Sequence, residues 1–173
     1  MTKKQLFAAV LASLTIASGA TAVCAKNYDD VPENSRAATE ISMLSDIGVI
    51  RGTSENEFSP EVPVTREQMA TLLFRLMLGR GDAGRENTTA FRDLYDPYYN
   101  GAISWANAAG YIRGTSETSF NPKGGITKQD AMTMIVRALG QESDNMNAGY
   151  PWSYINQAVR LGLDKNLEDV PYT

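Results

Sequence analysis

Histidine is absent from all 173 residues and cysteine occurs once, at Cys24. Without imidazole there is no Ser-His or Cys-His nucleophile pair and no ordinary zinc site. A single cysteine cannot staple the fold, so stability has to come from burial. Long apolar runs are missing too: no stretch approaches the roughly 20 consecutive apolar residues of a membrane helix, which speaks against membrane insertion. Basic charge is in deficit, with 16 Lys and Arg against 20 Asp and Glu for a net charge of −4. Nucleic acid and anionic membrane surfaces are poor partners for such a chain, because both demand a basic face that releases counterions. The adjacent acids Asp29 and Asp30 are badly spaced to flank a glycosidic bond. "DKNLED" at Asp164 lacks the glycine and the twelfth ligand of a calcium loop. No enzyme activity, metal or cofactor is expected.

What is present begins with a leader. Residues 1–25 read Lys3 and Lys4, an apolar run from Leu6 to Ala17, then small residues, the order of a secretory signal peptide. Cleavage fits after Ala22 or after Ala25, and Val23 before Cys24 argues against a lipoprotein. Loss of the leader removes two lysines and no acid, moving the net charge from −4 to −6.

The remainder repeats itself. "GVIRGTSENEFSP" from Gly48 returns 62 residues later as "GYIRGTSETSFNP" from Gly110, with 9 of 13 positions identical. Upstream of the two copies stand "YDDV" at Tyr28 and "FRDL" at Phe91; downstream stand "VTREQMATLLFRL" and "ITKQDAMTMIVRAL". The pattern divides the chain into repeat 1 at 26–79, a Gly-rich charged linker at 80–90, repeat 2 at 91–140 and a partial repeat 3 at 141–173. The "RGD" at Arg80 falls in that linker and carries no weight. In the partial unit Ile155 and Gly162 match Ile103 and Gly110, and the sequence is expected to stop before a third loop is written.

Each unit reads as helix, loop, helix. Ala37, Ile41 and Leu44 recur at helical spacing, as do Ile103, Ala106 and Ala109, and Gly48 and Gly110 close these helices. The second helices carry Met69, Leu72, Leu73 and Leu76, in phase with Ala131, Met134, Ile135 and Ala138. Thr65 followed by Gln68 is a capping box, and Thr127 followed by Asp130 a shorter version. One unit has too little apolar surface to fold alone, so units must share a core. The expected fold is all-α, a pseudo-symmetric bundle of helix-loop-helix repeats. Phe58 and Phe120 should plug the loops into that core. The hydroxyls of Thr53, Ser54, Thr115 and Ser116 are equally suited to sugar oxygens and to the loop's own backbone.

This order, an aromatic-x-Asp-aliphatic start, Gly-x-Ile-x-Gly, Phe-x-Pro, then Ile/Val-Thr-Arg/Lys opening a helix, resembles the S-layer homology domain over nearly the whole mature chain. The resemblance implies a secreted module of the bacterial cell wall or S-layer that binds wall polysaccharide bearing pyruvate ketals. It points to Arg66 and Lys128, which follow the capping residues Thr65 and Thr127 where free N–H groups and the helix dipole favour an anion. The competing reading pairs these cations with Glu67 or Asp130. Gly52 and Gly114 would let the loop backbone approach a ligand or another helix. Aromatics near the first helix of a unit stack on sugars in the family; Tyr99, Trp105 and Trp152 are the candidates, Trp105 equally suited to the core, and unit 1 has Ser35 and Arg36 instead. The rival function is protein interaction or self-association, with Ile155, Val159 and Leu161 left uncovered by the unfinished third unit, or with the chain a piece of a longer anchored protein.

Overall fold

A computed structural model describes residues 26–35, 37–79, 81–142, 149–165, 167 and 170–172. The leader, Cys24, Arg36 and Arg80 lie outside the described residues. Among the described residues five α-helices follow one another: α1 Ala38–Asp46, α2 Arg66–Leu78, α3 Pro97–Ala108, α4 Lys128–Ala138 and α5 Trp152–Arg160. Among the described residues there is no strand, only an isolated antiparallel bridge between Thr65 and Gly125. The all-α expectation holds.

The helix ends follow the sequence closely. The Thr65 hydroxyl accepts from the Gln68 N–H while the Gln68 side chain accepts from the Thr65 N–H, the reciprocal capping box. Thr127 accepts from the Asp130 N–H in the same position of α4. A start signal not singled out in the sequence opens α3, where Asp96 accepts from the Tyr98 N–H and Pro97 occupies the first turn. Gly48, Gly110 and Gly162 follow the first helices of the three units at φ of 73°, 78° and 71°, a left-handed conformation that costs glycine little.

Helices pair across unit boundaries. The second helix of unit 1, α2, packs on the first helix of unit 2, α3, and α4 packs on α5 in the same way. Leu73, Ile103, Ile112 and Phe120 are almost wholly buried in one cluster with Met69, Phe91 and Met134, and Met132, Val136, Tyr154 and Ala158 form a second. The first helix, α1, packs on no other helix among the described residues and leaves Met43 and Ile47 exposed. In the third unit Ile155 is buried, against the expectation that it lacks cover, whereas Val159 and Leu161 stay exposed.

Each loop is drawn onto its own unit by the Asp of the aromatic-x-Asp motif. Asp30 accepts from the N–H groups of Phe58 and Ser59; Asp93 accepts from those of Phe120 and Asn121 and from the Ser119 hydroxyl. The Phe58 N–H is the main cause that holds the Asp30 carboxyl below the usual carboxylate range. Burial pushes Asp93 up, but the bonds from Phe120, Ser119 and Asn121 together outweigh it and leave its pKa lowered. Phe120 stacks on Phe91 at 5.5 Å between ring centres and is fully buried; Phe58 meets Tyr28 at 5.4 Å and is half-buried.

Candidate functional site

The pairing of helices across unit boundaries leaves two grooves built to one plan. The first, about 340 Å³, lies between the loop at Arg51, Gly52 and Thr53, the flank of α2 at Gln68, Thr71 and Arg75, and the start of α3 at Tyr98 and Tyr99. The second, about 550 Å³, lies between the loop at Arg113, Gly114 and Thr115, the flank of α4 at Asp130, Thr133 and Arg137, and the segment Gly149, Tyr150, Ser153 and Tyr154. Arg51 and Arg113, Arg75 and Arg137, Thr71 and Thr133 are each 62 residues apart in sequence, and Tyr98 and Tyr150 are matched by the spacing of Ile103 and Ile155. Two arginines and a tyrosine thus recur at equivalent points.

Their electrostatics differ. In the second groove Arg137 donates from Nε and a terminal nitrogen to the Tyr154 hydroxyl, 3.2 Å each, and lies 3.5 Å from Glu142. Tyr154 donates in turn to Glu142, and Tyr150 donates to Asp130 at 2.7 Å. Burial first, and the Asp130 carboxylate second, push the Tyr150 phenol up to about 12. In the first groove the Asp130 position is Gln68, and among the described residues no acid lines the walls. Arg75 donates to the Tyr98 hydroxyl at 2.8 Å.

Arg66 belongs to unit 1 but reaches the second groove, where it forms one end. Its side chain is nearly buried; Nε donates to the Phe120 carbonyl and a terminal nitrogen to the Arg113 carbonyl, both 2.9 Å. Its remaining nitrogen is 3.6 Å from Asp130, and the guanidinium lies 4.8 Å over the Phe120 ring. Burial lowers the Arg66 pKa, with Asp130 the leading opposing influence. The helix start beneath it is closed in the same way: the N–H groups of Arg66 and Glu67 donate to the carbonyls of Gly124 and Pro122, and that of Gln68 to Thr65. This corrects the expectation of free N–H groups awaiting an anion. The carbonyls of the next unit's loop already occupy them.

Lys128 repeats the device one unit on. Its ammonium donates to the carbonyls of Leu167 and Val170 and lies 4.2 Å from the centre of the Tyr172 ring, while the Gln129 N–H donates to the Tyr172 carbonyl. Tyr172 therefore stands under Lys128 as Phe120 stands under Arg66. The described tail residues Leu167, Val170 and Tyr172 meet the start of α4 in this way without the Gly-Thr-Ser wording of the two loops.

The other candidates separate. Gly52 and Tyr99 line the first groove and Gly114 the second; Thr65, Thr127, Lys128, Trp105 and Trp152 line neither. Trp105 packs edge-on against Phe74 at 5.4 Å and Tyr111 at 5.3 Å, and Trp152 is exposed at the start of α5. A Cβ on Gly52 would strike the Tyr28 ring and the Glu57 carbonyl, and one on Gly114 the Phe91 ring and the carbonyls of Ser116 and Ser119. Neither glycine has a left-handed φ, so what each admits is the unit's own aromatic. Thr53 and Thr115 donate to the Glu57 and Ser119 carbonyls, and Ser54 and Ser116 accept from loop N–H groups, so these hydroxyls hold the loop's own backbone. Arg51, Arg75, Arg113 and Arg137 were not singled out in the sequence. Their recurrence at 62 residues was the available signal.

Two stretches, residues 27–70 and 92–132, match the family model of the S-layer homology domain. The chain is 28% identical over 170 residues to a surface layer protein of Brevibacillus choshinensis, covering 96% of this chain and 15% of that protein. It is 27% identical over 165 residues to a cell surface protein of Thermoanaerobacter kivui, covering 93% of this chain and 20% of that protein. A cellulosome-anchoring protein of Acetivibrio thermocellus is 25% identical over 114 residues, 65% of this chain and 26% of that protein. The chain thus spans about a quarter or less of the length of these relatives.

Proposed function

Because the chain carries two S-layer homology domains, we propose that it is the non-catalytic wall-binding part of a cell-surface protein and holds acidic secondary cell-wall polysaccharide in its two grooves. The recurrence of two arginines beside a tyrosine in both grooves carries this reading. A guanidinium forks onto a carboxylate, such as that of a pyruvate ketal, with two parallel hydrogen bonds. Tyr98 and Tyr150, both largely exposed, offer flat faces for a sugar ring. Arg66 adds charge at the end of the second groove and, by its two carbonyl bonds, holds the loop that forms one wall.

The test is sedimentation with purified cell-wall sacculi. Arg51→Ala with Arg75→Ala empties the first groove of cations, and Arg113→Ala with Arg137→Ala thins those of the second; each pair should weaken pelleting and all four together should abolish it. Chemical removal of pyruvate from the wall should match the quadruple variant. Undiminished pelleting of that variant overturns the assignment.

One observation favours a second reading, self-association: α1 has no helix partner among the described residues, and Met43 on it and Ile47 just after it are exposed. Light scattering over a concentration series decides it, since a strict monomer leaves that face without a role in assembly.

A further inference from the structure

Beside the first groove lies a smaller cavity of about 180 Å³ that the second groove does not reproduce among the described residues. Arg51 and Arg75 face both spaces, and a third guanidinium, Arg85, joins them from the linker. Among the described residues none of the three forms an ion pair with an acid, in contrast to Arg66 and Arg137 in the second groove. Asp82 is the one acid among the described lining residues, and it accepts from the Gly84 N–H.

The linker that supplies Arg85 is fixed in place. A Cβ on Gly101 would run into the carbonyls of Ala83 and Gly84, so α3 and the linker touch backbone to backbone. Asn100 donates to the Arg85 carbonyl at 3.2 Å, and Ser104 donates to the Glu86 carbonyl while accepting from the Thr88 N–H. These bonds engage the backbone of residues 85–88 and leave the Arg85 side chain exposed beside the cavity.

We propose that Arg51, Arg75 and Arg85 form a phosphate-binding site at the end of the first groove. One arginine fork satisfies a planar carboxylate, whereas a tetrahedral phosphate presents acceptor oxygens in several directions and suits donors arriving from a loop, a helix and a linker. The site extends the glycan-binding reading above, on which it rests for its place in the wall. Its phosphate comes either from a phosphorylated glycan or from free phosphate.

The experiment follows the arginine Nε–H resonances of the full chain by NMR while inorganic phosphate, glucose 6-phosphate or acetate is added. Phosphate should shift Arg51, Arg75 and Arg85 along one saturating curve. Arg85→Ala should weaken it about tenfold, the scale of one charge-assisted hydrogen bond. Arg85→Glu should abolish it, and Arg113→Ala should leave it unchanged. Tighter binding of the sugar phosphate assigns the source to a glycan and equal affinity to free phosphate; both support the site. No saturating shift, equal competition by acetate, or an Arg85→Ala curve matching the parent overturns it. Sacculus pelleting reports separately: pelleting without phosphate binding sinks this site alone, and phosphate binding without pelleting sinks the wall-binding reading alone.

Discussion

Replacing Arg66 by Met keeps a flexible apolar stem over the Phe120 ring and deletes every donor. Two charge-assisted bonds are lost, from Nε to the Phe120 carbonyl and from the guanidinium to the Arg113 carbonyl, each 2.9 Å. Bonds to a charged group contribute about 1.5–3 kcal/mol each. The Asp130 contact at 3.6 Å is also lost, but the cost of keeping a nearly buried guanidinium dehydrated is relieved. The net expected loss is about 3 kcal/mol, which lowers the midpoint of thermal unfolding by about 6–12 °C in a domain of this size. Lys128→Met is the comparison: the same kind of bond to Leu167 and Val170, made by a more exposed side chain to the tail, should cost about 1 kcal/mol or less. Urea denaturation of both variants and of Arg66→Lys, monitored by helical circular dichroism, orders them. Arg66→Lys should fall between the parent and Arg66→Met, since one ammonium cannot serve both carbonyls with a fork's geometry. If Arg66→Met costs no more than Lys128→Met, the cross-unit staple is wrong and the side chain is free for a ligand alone.

Gly114→Ala should destabilise by about 1–3 kcal/mol in urea denaturation, because its Cβ meets the Phe91 ring and two loop carbonyls, and adding Phe91→Leu should recover part of the loss. Ser59 has φ 62° and its counterpart Asn121 φ 57°; Ser59→Gly should raise stability by about 0.5–1 kcal/mol, read as a higher unfolding midpoint, while Asn121→Gly should gain less, since Asn tolerates this conformation better. The carboxyls of Asp30 and Asp93 have folded pKa values below 3.8, so the unfolded chain binds their protons first as pH falls. Their stabilisation is complete well above 3.8 and disappears as pH drops through the lower folded values, and Asp93→Asn should flatten that acid limb of the stability curve.

What could be read from the sequence was local. The capping boxes, the glycines ending the first helices, the phase of Met69, Leu73 and Met134 and the repeat itself rest on neighbours a few residues apart, and the helices follow them. The partners of Arg66 are peptide carbonyls 47 and 54 residues away, and carbonyls have no residue identity for a sequence pattern to display. The contacts of the tail have the same character, since Leu167 and Val170 meet Lys128 through their backbones and only the ring of Tyr172 echoes Phe120. This changes what the duplicated cation means. A cation at the start of one unit's second helix reaches forward to the loop of the next, so each groove is built by its own unit and walled by the first helix of the unit after it, and the second is also braced from the unit before. The second groove has all three contributions, with Arg66 as its brace. The first has no such brace among the described residues, and the cation that the linker sets beside it, Arg85, is bonded through its backbone and has no ion pair with an acid among the described residues. Anion affinity should therefore be higher in the first groove and structural rigidity higher in the second, a division that two nearly identical loops do not announce.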